Sequence, residues 1–204
     1  MSLIVLKHCT LWDGTSPEVR EDMHVLVEGE RIREISERAI TAPQAQVIDC
    51  QGKTLMPGLI DAHVHLIATH LNLGQLAQEP VSLTMARAHH IAAGMLQRGF
   101  TTVRDAGGAD WGLAAAIEYG LIDGPRVFYA GRALSQTGGH GDFRSRTLEA
   151  DQCACCMAGT QFSVIADGVP EVQKAARQEL RRGATQIKIM ASGGVASPTD
   201  PVWN

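Results

Sequence analysis

Two histidines separated by one residue, His63 and His65, are the part of this 204-residue sequence best suited to chemistry. They stand in the apolar run from Leu59 to Leu66, just after the turn-forming pair Pro57-Gly58. Side chains of a β-strand alternate between its two faces, so residues two apart share a face. Neutral imidazole is the commonest protein ligand for zinc-like metals. The spacing therefore predicts that His63 and His65 project the same way and hold one metal ion.

The segment from Pro57 to His65 also carries a family resemblance. Its pattern, Pro-Gly-Leu-Ile-Asp-x-His-x-His, resembles the first-strand signature of the amidohydrolase superfamily. Members of that superfamily are metal-dependent hydrolases built on a distorted (β/α)8 barrel. The resemblance extends over essentially the whole chain and implies that the chain is the N-terminal half of such an enzyme.

A second candidate residue, Lys188, lies between Ile187 and Ile189 in an apolar strand pattern. An ammonium group in such surroundings is costly to bury unless it is paired or loses its charge. The resemblance implies that a lysine at the end of strand four reacts with carbon dioxide, and that the resulting carbamate bridges two divalent metals. We therefore expect His63, His65 and Lys188 to be metal ligands. Zinc is the expected metal, while manganese, iron and cobalt remain open.

His140 lies between glycines in the segment Gly138-Gly139-His140-Gly141-Asp142, which follows strand three. Loops at the carboxyl ends of barrel strands build the active sites of such folds. A histidine between glycines in a loop has little packing to do. The resemblance implies a catalytic role for His140, in which it contacts the scissile carbonyl or the developing oxyanion.

The His140 loop and the segment after Lys188 resemble the prolidase-like and Xaa-Arg carboxypeptidase-like branch. The implied reaction is cleavage of an amide bond in a dipeptide or N-acyl amino acid, of Xaa-Pro or Xaa-Arg type, by a metal-bridged hydroxide. Two alternatives remain open: a cyclic-amide hydrolase or deaminase on the same barrel, and a non-catalytic barrel that serves as a scaffold.

The elements that must position these residues form two regions. Residues 1–53 read as short strands and turns, with strands at 3–6 and 46–50 and a hairpin around Gly29, which predicts part of a small β-sandwich. Residues 54–204 alternate strands with helices, which predicts an α/β fold with a parallel sheet, the first four units of a TIM barrel. The predicted strands are 54–66, 100–105, 126–130 and 186–190, and the predicted helices are 82–98, 111–119 and 169–182.

Four strands are half of an eight-stranded barrel, so we expect the remaining half to come from further protein. The resemblance implies that this half carries two histidines, an aspartate ligand that acts as general base, and the specificity loops. We expect this chain alone to be inactive, and the complete enzyme to bind a small peptide or amide substrate as a homo-oligomer.

Composition excludes several classes. With 45% hydrophobic residues, 20% charged residues and a net charge of −4, the chain has no nucleic-acid footprint and no polybasic membrane patch. The five cysteines do not form a disulfide framework, so we expect a reducing, cytoplasmic location. We interpret the cluster Cys153-x-Cys155-Cys156 as small buried hydrophobes rather than a zinc site.

The other polar residues give weaker signals. Asp61 lies two residues before His63, where support for a ligand and a purely structural role are equally favoured. Arg104-Asp105 is interpreted as a local ion pair. His70, His89 and His90 are expected to be solvated or packed, and His8 and His24 receive no role.

Overall fold

A computed structural model describes residues 2–76, 79–144 and 162–194 of the chain. It divides into two compact units, Met1–Gly58 and Leu59–Asn204. The cysteine cluster at 153–156 lies outside the described residues. Among the described helices, none combines the length and the apolar character needed to cross a membrane.

The first unit is one five-stranded sheet in the order β3-β2-β1-β4, with β5 also pairing with β1. Its central pair, β1 and β2, is antiparallel, whereas β4 and β5 run parallel to β1. Gly29, at a φ of +60°, forms the turn between β2 and β3. The strands are β1 (Leu3–Leu11), β2 (Arg20–Glu28), β3 (Arg31–Ser36), β4 (Gln46–Asp49) and β5 (Thr54–Leu55).

The second unit alternates parallel strands with helices, which confirms the predicted α/β architecture. Strands β6, β7 and β8 form a parallel sheet in that order, and β9 pairs in parallel with β10. The strands are β6 (Leu59–Val64), β7 (Phe100–Asp105), β8 (Arg126–Tyr129), β9 (Ala133–Ser135) and β10 (Ser163–Ile165). The helices are α1 (Leu73–Leu76), α2 (Val81–Gln97), α3 (Trp111–Glu118) and α4 (Gly168–Arg181).

The core of the second unit lies between the sheet and helices α2 and α3. Val103 of β7 is fully buried against Ala88 and Ala92 of α2 and Leu113 of α3. Helix α2 ends at Gln97, and Gly99, at a φ of +91°, reverses the chain into β7. Short connections of this kind place the carboxyl ends of β6, β7 and β8 at one edge of the sheet.

Helix α4 is fixed to the strands by a buried carboxylate. Glu179 is 3% exposed in its side chain and forms ion pairs with Arg132 at 2.8 Å and with Arg182 at 2.7 Å. It also accepts a hydrogen bond from the Arg132 backbone N–H at 3.2 Å. This network holds α4 beside the segment that joins β8 to β9.

The strand predicted at 3–6 is longer in the structure, where β1 extends over Leu3–Leu11, and two strands predicted for the barrel region differ more strongly. The strand predicted at 54–66 is two strands, because Thr54–Leu55 pairs with β1 of the first unit and Leu59–Val64 pairs with β7. Pro57 lies between them and cannot donate to a ladder. The strand predicted at 186–190 is reduced to one parallel bridge, between Ile189 and Leu134 of β9.

Candidate metal centre

His63 and His65 lie at the carboxyl end of β6. The strand contains a bulge there: Asp61 pairs with Val103 and Val64 with Asp105, so β6 has one more residue than β7 between these pairs. Bulges re-aim side chains and are common beside active sites. His63 therefore lies within the bulge, and His65 follows the last residue of the strand.

The two imidazoles have a geometry that fits a shared metal ion. Their ring centroids are 5.4 Å apart and their planes differ by 68°. Two imidazoles bound to one tetrahedral zinc at N–Zn distances of about 2.1 Å have centroids roughly 5 Å apart. The structure thus brings the side chains of His63 and His65 close enough to bind one metal ion together.

The orientation of His65 is fixed by a backbone carbonyl. His65 Nδ1 donates to the Gly107 carbonyl oxygen at 2.9 Å. That bond places the proton on Nδ1, so the Nε2 lone pair is available to a metal, which is the arrangement usual for metal-binding histidines. Gly107 has a φ of +148°, a conformation that favours glycine.

Asp105 organises the turns around the two histidines. It is fully buried, and its carboxylate accepts hydrogen bonds from the backbone N–H groups of Leu66 at 2.7 Å, Gly107 at 2.9 Å and Ala109 at 3.2 Å. Burial raises its pKa, although these three donors and the nearby His65 act in the opposite direction. One carboxylate therefore ties the residue after His65 to the loop whose carbonyl orients that histidine.

The interpretation of Arg104-Asp105 as a local ion pair is wrong. Arg104 is exposed and donates from Nε to the Ala62 carbonyl oxygen at 2.7 Å, whereas Asp105 points into the protein. Neighbouring residues of a strand face opposite sides. Asp105 lies two residues after the apolar Val103 in β7, so the two side chains share a face of the strand. This spacing was the sequence signal that Asp105 belongs to the inner face.

Asp61 supports the bulge through the backbone. Its Oδ1 accepts a hydrogen bond from the His63 N–H at 3.0 Å. The pKa of His63 is lowered, first by desolvation and then by the positive charges of Lys188, His65 and Arg104, while Asp61 opposes the shift. A lowered pKa keeps the imidazole in the neutral form that binds metals.

Lys188 lies in the segment after α4, which pairs with β9. Its carbonyl oxygen accepts from the Leu134 N–H of β9 at 2.9 Å, and the Met190 N–H donates back to Leu134 at 2.9 Å. The side chain of Lys188 is half-buried, and its charge acts on His63. The structure thus places the Lys188 segment against β9, and the charge of Lys188 is one cause of the lowered pKa of His63.

A neighbouring glutamine anchors the Lys188 segment to the strand ends. Gln186 Nε2 donates to the backbone carbonyl of Asp105 at 3.1 Å and to that of Phe128 at 3.4 Å. Hydrogen bonds from this segment therefore reach β7 and β8 through the Gln186 side chain and β9 through the backbone, even though the segment itself is not a regular strand.

His140 lies in a loop that is held by its own hydrogen bonds. The Gly141 N–H donates to Ser135 Oγ at 3.0 Å, and the buried Asp142 accepts from the Gly138 N–H at 2.9 Å while pairing with Arg144. Arg144 is the main cause of the lowered pKa of Asp142.

His140 is half-buried, and its ring lies against Gly194, where an added Cβ would come within 2.6 Å of the ring carbon Cε1. The expectation that His140 has little packing to do is therefore wrong. The contact joins the His140 loop to the loop that follows Lys188.

Comparison with known proteins agrees with this arrangement. Residues 54–202 match the model of the amidohydrolase family. The chain belongs to the amidohydrolase family. Amidohydrolases generally use divalent metals, and the imidazole pair at the end of β6 is a donor set suited to one.

Three known proteins show which amidohydrolases this chain resembles. A crystal structure of a prolidase complexed with N-methylphosphonate-L-proline superposes with a TM-score of 0.91 at 52% identity, covering 100% of this chain and 50% of the prolidase. A Xaa-Pro dipeptidase structure with bound methionine in its active site has a TM-score of 0.76 at 31% identity, covering 96% of this chain and 48% of the dipeptidase. Ochratoxinase of Aspergillus niger is 42% identical over 159 residues, which are 72% of this chain and 32% of that enzyme.

The prolidase-like resemblance of the sequence is thereby confirmed. The chain spans about half the length of the solved relatives, and the 159 residues that match ochratoxinase are about a third of that enzyme.

Proposed function

We propose that this chain is one part of a prolidase-like, binuclear, metal-dependent amidohydrolase. It contributes the metal ligands His63, His65 and Lys188. The reaction is hydrolysis of an amide bond in a dipeptide or N-acyl amino acid, of Xaa-Pro or Xaa-Arg type. The observation that carries the proposal is the His63–His65 pair, with His65 oriented by the Gly107 carbonyl. The charge of Lys188, which helps to lower the pKa of His63, gives further support.

In this proposal the described strands are the first part of a (β/α)8 barrel. The parallel order β6-β7-β8 and the superposition on about half of a prolidase support it. The other half of the barrel supplies the remaining ligands and the general base, and the first unit contributes to a β-sandwich.

The residues of this chain have separate tasks. His63 and His65 would hold a metal through imidazole nitrogens, and Lys188, as its carbamate, would be a further metal ligand. Two divalent metals, zinc by expectation, would supply Lewis acidity at the carbonyl and lower the pKa of water toward neutrality. Asp105 and Gly107 do not touch substrate; they fix the direction of His65.

His140 is proposed to donate a hydrogen bond to the oxyanion that develops on the substrate carbonyl. Its place supports this role, because the loop after β9 and the loop after Lys188 meet at the contact between His140 and Gly194. Preorganised donors of this kind typically contribute about 100- to 1000-fold to turnover.

The substrate class is supported by the compound bound to the prolidase relative. N-methylphosphonate-L-proline carries a tetrahedral phosphorus on the nitrogen of proline, at the place of the carbonyl carbon in an N-acyl proline. Enzymes bind such mimics of the transition state more tightly than the substrate itself. An amide whose nitrogen belongs to an amino acid is therefore the favoured substrate.

The reducing, cytoplasmic location stays part of the proposal. It is supported by the five cysteines, an odd number that does not suggest a disulfide framework.

The test uses the complete enzyme with Lys188→Ala. We expect kcat/KM for Xaa-Pro or Xaa-Arg dipeptides to fall at least about 100-fold, with partial recovery when short carboxylic acids replace the missing carbamate. Lys174→Ala, at an exposed lysine of α4, is the matched control and should keep its activity. Wild-type turnover in Lys188→Ala would refute the carbamate, and turnover of hydantoins or aminated bases but no dipeptide would favour the cyclic-amide hydrolase or deaminase.

A further inference from the structure

A second group of metal-ligating side chains lies in the first unit, away in sequence from the candidate centre. His8 of β1 and Asp22 and His24 of β2 place one ligand atom each within 4.8 Å of one another. His8 Nδ1 donates to Asp22 Oδ1 at 2.7 Å. The imidazoles of His8 and His24 have centroids 5.1 Å apart and planes that differ by 68°. Small side-chain rotations would bring all three ligand atoms to the spacing that one tetrahedral metal requires.

Two bulges place these residues on one face of the sheet. Between the pairs Leu6–Val25 and Cys9–Met23, β1 has one extra residue, and between Cys9–Met23 and Leu11–Arg20, β2 has one extra residue. In an uninterrupted ladder continuing from Leu6–Val25, His8 would oppose Met23 and face away from His24. The bulge in β1 reverses that direction and brings His8 to the side of His24.

The backbone at two of the three ligands is unusual. His8 has a φ of +54° and Asp22 a φ of +52°. Side chains other than glycine seldom adopt this conformation, although histidine and aspartate are among those that do so most readily. Strained positions of this kind cluster at ligand clamps and active sites.

His24 is the buried member of the group. The residue is 5% exposed, and its imidazole meets that of His8 edge-on. A metal bound to His8 and Asp22 would lie within reach of this ring.

We propose that His8, Asp22 and His24 form a binding site for a divalent transition metal, with zinc as the favoured ion. Two imidazole nitrogens and one carboxylate oxygen are ligands that zinc accepts, and water completes the tetrahedron on the exposed side. The metal ties β1 to β2 at the two bulges. This site does not depend on the proposed hydrolytic activity.

The experiment counts zinc bound by the protein after dialysis against buffered zinc, by elemental analysis. The background variant His63→Asn/His65→Asn removes two ligands of the candidate centre, so that the site in the first unit is easier to observe. We expect the further change His8→Asn/His24→Asn to lower the zinc content of this background by one ion per chain. The matched control adds His89→Asn/His90→Asn, a neighbouring pair on α2 with rings 5.4 Å apart, and should keep the zinc.

Two further measurements distinguish loss of the metal site from misfolding of the variant. Asp22→Asn alters only an exposed carboxylate and should weaken zinc binding at least about tenfold while the circular dichroism spectrum stays unchanged. Copper(II) in place of zinc should give an electron paramagnetic resonance spectrum with coupling to two imidazole nitrogens. Absence of zinc from the background variant, or equal zinc after His8→Asn/His24→Asn, would show a surface ion pair only and overturn the proposal.

Discussion

The two histidine groups of this chain reach a similar ring geometry by different routes. His63 and His65 are neighbours in sequence, and their centroids are 5.4 Å apart, whereas His8 and His24 come from different strands, and their centroids are 5.1 Å apart. The first pair needs one bulge and an orienting carbonyl. The second needs two bulges and two residues at positive φ. Local spacing is thus enough to suggest a ligand pair, but a pair formed across strands depends on register.

The difference also concerns what holds each group in place. The loops around His65 are fixed by Asp105, a buried carboxylate with three backbone donors. His8 and Asp22 are held by their own mutual hydrogen bond at side chains that are 47% and 74% exposed. We therefore expect substitutions around His65 to lower the free energy of unfolding strongly and substitutions around His8 to change it little.

The largest expected effect is that of Asp105→Ala. The change leaves three backbone N–H groups without their acceptor, and we expect the free energy of unfolding to fall by about 2–4 kcal/mol. The measurement is urea unfolding followed by the helical circular dichroism signal, because the described helices all lie in the second unit. Asp61→Ala, which removes one acceptor, is the control and should cost less than about 1 kcal/mol. Equal losses in the two variants would contradict the role given to Asp105.

A smaller effect is expected for Gly107→Ala. A side chain at a φ of +148° strains the backbone, so we expect a loss of about 1–2 kcal/mol in stability. The change also displaces the Gly107 carbonyl that orients His65, so zinc affinity at the candidate centre should fall about tenfold. This affinity is measured in the His8→Asn/His24→Asn background, which lacks the site in the first unit.

Gly120→Ala is the matched control for this prediction. Gly120 has a φ of +67° and no atom within 4 Å of the added methyl group. It should lose stability without losing zinc affinity. If both variants bound zinc alike, the Gly107 carbonyl would not orient His65.

The smallest effect is expected for Asp22→Asn without metal. An exposed ion pair contributes little, so stability should stay within about 0.5 kcal/mol of the wild type. In the His63→Asn/His65→Asn background, zinc at 100 times the dissociation constant of the unaltered site should stabilise the protein by about 2.7 kcal/mol. A site that is weakened tenfold or more in the variant should keep at most about 1.4 kcal/mol of this gain. Glu21→Gln, at the exposed neighbouring residue, should keep all of it. An undiminished gain from zinc in Asp22→Asn would remove the carboxylate from the site.

The helices and β7 could be predicted closely because their signals are local. Helix α2 was predicted at 82–98 and found at Val81–Gln97, since its apolar spacing and Gly99 mark its course and end. Strand β7 was predicted at its observed bounds, Phe100–Asp105. The closeness of the His63 and His65 rings could be predicted for the same reason, because the two residues are two apart in sequence.

The features that were missed depend on contacts between distant parts of the chain. Strands β9 and β10 are three residues each, too short for an alternating pattern, and they are defined by their pairing. The acceptor role of Asp105 depends on loops that follow two different strands. The His8, Asp22 and His24 group could not be predicted, because regular pairing places His8 on the opposite face.

The two bulges in β1 and β2 cancel each other, and this makes the segment between them self-contained. Leu6 pairs with Val25 before the bulges, and Leu11 pairs with Arg20 after them, so both strands leave the irregular segment in the register in which they entered it. Deleting one residue from each strand at His8 and Asp22 would give an uninterrupted hairpin with the same outer pairs. The segment can therefore be gained or lost as a paired insertion, while the rest of the sheet keeps its partners.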